Sequence, residues 1–178
     1  GKLATGDTAD PQDMFSMGGL RGRMPVTFWT FLAGALALSG FPLITAGFWS
    51  KDEILSGAFH GSHLVVFITL AISALVTAFY SMRQVTLTFL GGPRTPSAKH
   101  AHESQPVMTV PLVVLAVFAI GAGWFGVPGS FPGLGGHLPN FIGEFLGGHE
   151  AEGFNAIPLL VSITVRLISP IAMEEGLR

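Results

Sequence analysis

The residues best suited to chemistry are three consecutive ionisable side chains, Lys51, Asp52 and Glu53, which close an uncharged run that begins after Arg23. A lysine at the centre of a bilayer costs about 2.5–3.5 kcal/mol on insertion scales, so lysines are rare there outside functional sites. The pKa of a desolvated lysine responds readily to neighbouring charge. The pattern predicts a proton carrier at Lys51, adjusted by Asp52, with Glu53 as a weaker candidate. The alternative is a helix end in water.

A break in the apolar run lies just before these residues, at Ser39, Gly40 and Pro42. Proline removes a backbone donor and clashes with the preceding turn, which costs about 3 kcal/mol inside a helix. One interpretation is a simple proline kink. The other is a discontinuous helix whose half-helix ends line an ion site. The proximity of Lys51 favours the second interpretation.

The composition predicts an integral membrane protein. Of 178 residues, 49% are apolar and only 11% are charged, whereas a soluble domain carries about 25% charged residues. Uncharged stretches long enough to span a bilayer as helices, which takes roughly 20 residues, run from Met24 to Ser50, from Ile54 to Met82 and within Ser104 to Gly143. We therefore predict an all-α fold, a polytopic transmembrane helical bundle with a broken helix.

The absence of cysteine and the weak net charge exclude several functions. With no cysteine, this chain has no ligands for cysteine-bound iron–sulfur clusters or thiolate zinc sites. A formal net charge of −2 without a basic patch argues against a nucleic-acid partner.

The predicted elements divide the chain into seven segments. They are a polar loop at 1–24, a broken transmembrane helix at 25–59, a transmembrane helix at 64–90, a cytoplasmic loop at 91–106, a transmembrane helix at 107–126, a Gly/Pro-rich outward loop at 127–153 and a weak apolar segment at 156–173, a possible partial transmembrane helix. The first residue is Gly1, which suggests an internal piece of a longer chain.

Basic residues set the expected orientation. They flank the start of the first span and the end of the second, at Arg21, Arg23, Arg83, Arg94 and Lys99. Short loops rich in Lys and Arg face the cytoplasm, so we assign both ends to that side. Lys51 falls toward the opposite side, which favours its being held inside protein.

A metal site at His100, His102 and Glu103 is a weaker candidate, because two histidines in a polar loop are more often solvated. No metal ligand set is predicted. The Gly-rich piece around Gly133 lacks the strand and helix of a phosphate-binding loop.

Three segments of the sequence resemble a known family. They are Met17-Gly18-Gly19-Leu20-Arg21, the run from Ala37 to Leu55 that contains the break and Lys51, and His102-Glu103-Ser104. They resemble the antiporter-like, proton-translocating membrane subunits of NADH:quinone oxidoreductase, respiratory complex I, closest to the L type. The likeness is specific over about 13–125, looser through the Gly/Pro-rich loop, and fades after about Val165.

This resemblance implies an inverted-repeat fold, in which each repeat has a broken helix and buried lysines, histidines and glutamates follow the membrane midplane. The chain would be a C-terminal-half fragment that carries the end of the second repeat. Segment 25–59 would be its broken helix, Lys51 the terminal-channel lysine and Asp52 the adjacent acid. The first repeat would be missing, so the fragment alone should not pump protons.

The resemblance also implies partners and cofactors. The chain would be a subunit of a translocating oxidoreductase without a redox centre of its own. NADH, flavin, iron–sulfur clusters and quinone would belong to the rest of the complex. The partners would be other membrane-arm subunits and the lipid bilayer, and the location the inner (plasma) membrane, with several passes. A subunit of a multisubunit cation/proton antiporter, and a structural membrane subunit without an ion path, remain alternatives.

Overall fold

The computed structural model describes residues 13–42 and 44–127, together with Phe141 and Phe145, and these residues contain helices and no β-strand. The helices are α1 (Pro25–Ser39), α2 (Ala46–His60), α3 (Leu64–Phe89), α4 (Pro96–Lys99) and α5 (Pro106–Gly121). Single 3-10 turns occupy Met14–Ser16, Leu20–Gly22 and Ala122–Gly126. The all-α expectation is confirmed for this part of the chain. The predicted outward loop at 127–153, apart from Val127, Phe141 and Phe145, and the apolar segment at 156–173 lie outside it.

Two helical stretches are long and apolar enough to cross a membrane. They are Leu64–Phe89, with 26 residues, and Pro106–Gly126, with 21 residues, each with a mean hydropathy of 2.2. Side chains are exposed along most of Pro106–Gly126 and along the first half of Leu64–Phe89, whose second half contains several buried residues. Exposed apolar side chains along such stretches are typical of contact with lipid or with other membrane helices.

The broken helix consists of two short helices. Helices α1 and α2 have 15 residues each, so each is about 22 Å long, less than the roughly 30 Å of a bilayer core. Residues 40–45 separate them. The interruption is therefore wider than a simple proline kink, and neither half spans a membrane by itself.

Helix α1 lies at the centre of the packing, between α3 and α5. Phe28 on α1 and Phe89 on α3 meet edge to face with ring centroids 5.4 Å apart. Buried alanines on α1, Ala33 and Ala35, allow neighbouring helices to approach closely, as small residues do in membrane proteins.

The two segments with basic residues, before α1 and after α3, contact each other. The backbone N–H of Gly19 donates to the carbonyl oxygen of Leu90 at 3.2 Å, and the Thr95 hydroxyl donates to the Ser16 carbonyl oxygen at 2.9 Å. These contacts join the loop before α1 to the loop after α3. Arg83 lies over the ring of Phe15, 5.6 Å from its centroid.

The segment predicted as a loop at 91–106 contains a short helix, α4. Thr95 caps it by accepting a hydrogen bond from the Ala98 N–H at 3.3 Å, and Pro96 occupies its first position. A threonine cap followed by proline is a helix start signal, and four residues give no apolar period that would reveal it.

Candidate functional site

Lys51 reaches across the break in the helix. It lies in the second turn of α2, inside the helix rather than at its end, and it is half-buried. Its ammonium donates a hydrogen bond to the carbonyl oxygen of Leu38, in the last turn of α1. The carboxyl end of a helix carries partial negative charge. The contact therefore places a cation where the dipole of α1 attracts one.

Near the C-terminal end of α1, the carbonyls of Leu36, Ala37 and Leu38 each accept a hydrogen bond. Gly40 has φ 74°, and its N–H donates to the Ala37 oxygen at 3.1 Å, while the Phe41 N–H donates to the Leu36 oxygen at 2.9 Å. This pair of bonds with a left-handed glycine is a Schellman motif. The lysine satisfies the Leu38 carbonyl. In lipid, where such groups must be satisfied internally, these donors make the open end of α1 tolerable.

Ser39 and Pro42 complete the break. The Ser39 hydroxyl donates to the Leu36 carbonyl oxygen at 3.0 Å, so the serine turns inward on its own helix and is buried. Pro42 is half-buried between the halves. Thr45, before the first residue of α2, donates its hydroxyl to the Phe41 oxygen at 2.9 Å. The hydroxyls of Ser39 and Thr45 thus each donate to a backbone carbonyl at or near the break.

Close packing brings the two half-helices together at Gly47. A Cβ atom placed on Gly47 would collide with the carbonyl oxygen of Ala37, so α2 can approach the end of α1 only with a glycine there. Gly123, in the turn after α5, also packs closely on α2, since a Cβ there would lie 2.5 Å from the Ala46 Cα and 2.7 Å from the Trp49 Cδ1. These contacts set the reach of Lys51 to Leu38.

Asp52 and Glu53 diverge from each other around α2. Asp52 is half-buried and its Oδ1 atom is shielded from solvent, whereas Glu53 is exposed. Consecutive helical residues point about 100° apart. Their burial shows that Lys51 and Asp52 lie toward neighbouring elements, whereas Glu53 lies on the exposed side of α2.

A cleft of about 230 Å³ opens beside Lys51, between α2 and α3. Lys51, Ser73 and Thr77 are the polar residues among those that line it, and the other lining residues are apolar. The Thr77 hydroxyl donates to the carbonyl oxygen of Ser73 at 2.8 Å. Neither hydroxyl was a candidate from the sequence, because serine and threonine inside an apolar helix have no distinctive spacing.

Glu103 caps the first half of the broken helix. Its carboxylate accepts hydrogen bonds from the Val26 N–H at 2.7 Å, the Thr27 N–H at 3.4 Å and the Thr27 hydroxyl at 2.6 Å. Burial raises the pKa of Glu103. The bonds from the Thr27 hydroxyl and from the backbone of Val26, Ser104 and Thr27 outweigh burial and hold the pKa below its ordinary value.

The weaker metal candidate in the same loop, at His100, His102 and Glu103, does not form a ligand cluster among the described residues. Both oxygens of Glu103 are engaged with α1, while His100 and His102 are exposed. Within residues 13–42 and 44–127, no group of three or more His, Asp or Glu side chains could hold a metal ion.

Comparison with protein families gives two adjoining matches. The family described as NADH:quinone oxidoreductase/Mrp antiporter, TM, matches residues 2–87. The family described as NADH dehydrogenase subunit 5 C-terminus matches residues 80–132. The first match contains the whole break and Lys51. The second contains all of α5 and the loop that carries Glu103.

Individual relatives agree with the family matches. NADH-quinone oxidoreductase subunit L of Mycobacterium tuberculosis is 39% identical over 163 residues, which cover 89% of this chain and 24% of the relative. NADH-ubiquinone oxidoreductase chain 5 of Aspergillus niger is 41% identical over 132 residues, 71% of this chain and 20% of the relative. F(420)H(2) dehydrogenase subunit L of Methanosarcina mazei is 40% identical over 121 residues, 63% of this chain and 18% of the relative.

The chain spans about a quarter or less of the length of these relatives. A transmembrane family model over its first half and two helices able to span a bilayer place it in a membrane. The chain belongs to the antiporter-like subunit L and chain 5 family of NADH:quinone oxidoreductases.

Proposed function

We propose that this chain forms part of the proton-translocating membrane arm of an NADH:quinone oxidoreductase, and that Lys51 carries the proton. The observation that supports the proposal most directly is the contact between the Lys51 ammonium and the Leu38 carbonyl at the open end of α1. A titratable cation held by a broken helix end is the arrangement in which a small change of geometry alters proton affinity.

The chemistry follows from electrostatics. While Lys51 is protonated, the carbonyl end of α1 and the half-buried Asp52 stabilise its charge. Shifting α1 relative to α2, or changing the charge near Asp52, weakens that stabilisation and allows the ammonium to release its proton. Restoring the contact favours uptake. The chain therefore couples to events elsewhere through charge and position, and needs no redox group of its own.

The rest of the assembly supplies what this chain lacks. With no cysteine in its sequence, the chain leaves cysteine-bound iron–sulfur clusters to other subunits, along with NADH, flavin and quinone. Its partners are other membrane-arm subunits and lipid. It belongs to a polytopic, inverted-repeat bundle in the inner (plasma) membrane, with α1 and α2 as the broken helix of one repeat. The relative named as an F(420)H(2) dehydrogenase subunit indicates that the electron donor is decided outside this segment.

A cation/proton antiporter subunit is the second candidate, because the description of the first family includes Mrp antiporters. The match of residues 80–132 to a subunit 5 C-terminus favours the respiratory complex. So do the names of the three relatives, of which two are NADH oxidoreductase subunits and one is an F(420)H(2) dehydrogenase subunit. A purely structural role is the third candidate. In that role Lys51 would only satisfy the Leu38 carbonyl at the open end of α1.

Substituting Lys51→Ala in the complete complex tests the proposal. In inside-out membrane vesicles energised with NADH, proton uptake should fall to less than half, with the complex still assembled. Lys99→Ala is the matched control, since Lys99 is exposed in the last turn of α4, and it should leave uptake unchanged. Normal uptake in the Lys51→Ala complex would overturn the proposal. Sodium-dependent proton movement without electron transfer would favour the antiporter.

A further inference from the structure

The cleft between α2 and α3 is lined in part by Lys51 and has room for water. Its volume is about 230 Å³, enough for several molecules at roughly 30 Å³ each. Water stays in a cavity only where it finds two to four polar partners. Lys51, Ser73 and Thr77 are among the residues that line the cleft, and an ammonium and two hydroxyl groups are partners of this kind.

Ser73 and Thr77 are four residues apart and share one face of α3, since residues at i and i+4 are neighbours on a helix. The Thr77 hydroxyl uses its proton on the Ser73 carbonyl oxygen at 2.8 Å. A hydroxyl has one donor and two acceptor lone pairs, so the oxygen of Thr77 is left to accept a hydrogen bond from the cleft. An acceptor beside a proton donor such as Lys51 orients a water between them.

We infer that Ser73 and Thr77 are positioning residues, which hold the water that receives the proton from Lys51. The Lys51 ammonium gives one proton to a cleft water and becomes a neutral amine. The water becomes hydronium, which passes the proton to the next water toward the cleft opening. Ser73 is exposed and is one of the residues that line the cleft. This inference rests on the proposed role of Lys51 and adds the route by which its proton leaves.

Helix α3 offers an internal comparison. Thr69 makes the same bond as Thr77, from its hydroxyl to the carbonyl four residues earlier, also at 2.8 Å. It lies two turns earlier on α3 and is not among the residues that line the cleft beside Lys51. Thr69→Val and Thr77→Val therefore remove the same local bond, and they differ in whether a cleft acceptor is lost.

The experiment compares Thr77→Val, Thr77→Ser and Thr69→Val in the complete complex, measuring protons moved per electron in energised vesicles. Thr77→Val should lower the ratio at least twofold, Thr77→Ser should restore it, and Thr69→Val should match the unmodified complex. Equal ratios in Thr77→Val and Thr69→Val would overturn the inference, as would a failure of Thr77→Ser to restore pumping.

A second variant covers a loss of assembly. Ser73→Ala keeps the backbone carbonyl that accepts from Thr77 and removes only a hydroxyl of the cleft lining. It should lower the ratio in the same direction, and an unchanged ratio would count against the inference. Normal pumping in these variants with impaired pumping in Lys51→Ala would reject the water route alone. Normal pumping in Lys51→Ala would reject the underlying function.

Discussion

The ammonium of Lys51 donates a hydrogen bond to the carbonyl oxygen of Leu38, 13 residues earlier in the chain and on the other half of the broken helix. This contact joins the titratable group of α2 to the negatively polarised end of α1. It explains how a lysine is accommodated next to an apolar bundle, because a backbone carbonyl left open in a membrane needs a donor. Because of this contact, a shift of α1 relative to α2 would change the proton affinity of the Lys51 side chain.

Gly47 should tolerate no larger side chain. In Gly47→Ala the new methyl group would collide with the Ala37 carbonyl, and overpacking of this kind costs about 1–3 kcal/mol. Heating the solubilised complex and following its remaining assembly should show earlier loss than in the unmodified complex. Pumping per assembled complex should fall as well, because α2 would be pushed away from Leu38.

Gly57→Ala provides the control on the same helix. A Cβ atom there meets nothing within 4 Å, and alanine is about 1 kcal/mol better than glycine inside a helix. This variant should be as stable as the unmodified complex or more so. Equal heat stability of Gly47→Ala and Gly57→Ala would show that the close approach of the half-helices does not matter.

Gly40 should be required for its backbone conformation. Its φ of 74° lies in the left-handed region, where a side chain costs about 1–2 kcal/mol. Gly40→Ala should therefore weaken the Schellman motif and lower the heat stability of the complex. Gly34→Ala, in the middle of α1 with open space around its Cβ position, should not. If both substitutions behave alike, the motif does not determine the end of α1.

Glu103 should stabilise α1 in a pH-dependent way. Its pKa in the folded chain lies below the ordinary 4.5, so its contribution is fully present above that pH and is lost as the pH falls through the lowered pKa. Replacing it with Gln should remove this acid sensitivity and cost about 1 kcal/mol, the usual value of a helix cap. Heat stability measured at neutral pH and near pH 4 checks both statements.

A double-mutant cycle with Thr27→Val isolates the cap. The Thr27 hydroxyl and the Glu103 carboxylate are 2.6 Å apart, so the two substitutions should be less than additive. Full additivity would mean that the carboxylate acts on something other than the start of α1.

The existence of the break could be predicted from Gly40 and Pro42, because both residues interrupt helices for local reasons. Its width could not, since it depends on the close approach of Gly47 to Ala37, a contact between two helices. The hydrogen-bond partner of Lys51 could not be predicted from the sequence either. It is a backbone carbonyl, which every residue has, so no side-chain pattern points to Leu38.

Glu103 illustrates a different limit. Its bonds reach 76 and 77 residues back along the chain, and the sequence shows only an acidic residue in a loop with two histidines, a pattern equally typical of a solvated turn. The available signal was the N-terminus of α1 itself. It begins with Pro25 after Met24, has no side-chain cap of its own, and so needs an acceptor from elsewhere.

The most direct test of the central claim is the number of protons moved per electron by a Lys51→Arg complex. Arginine keeps the positive charge and can still donate to the Leu38 carbonyl, but its guanidinium stays protonated and does not release its proton. If Lys51 carries the proton, the ratio should fall to less than half while the complex assembles and transfers electrons. An unchanged ratio would contradict the account, because it would show that the cation only caps the end of α1.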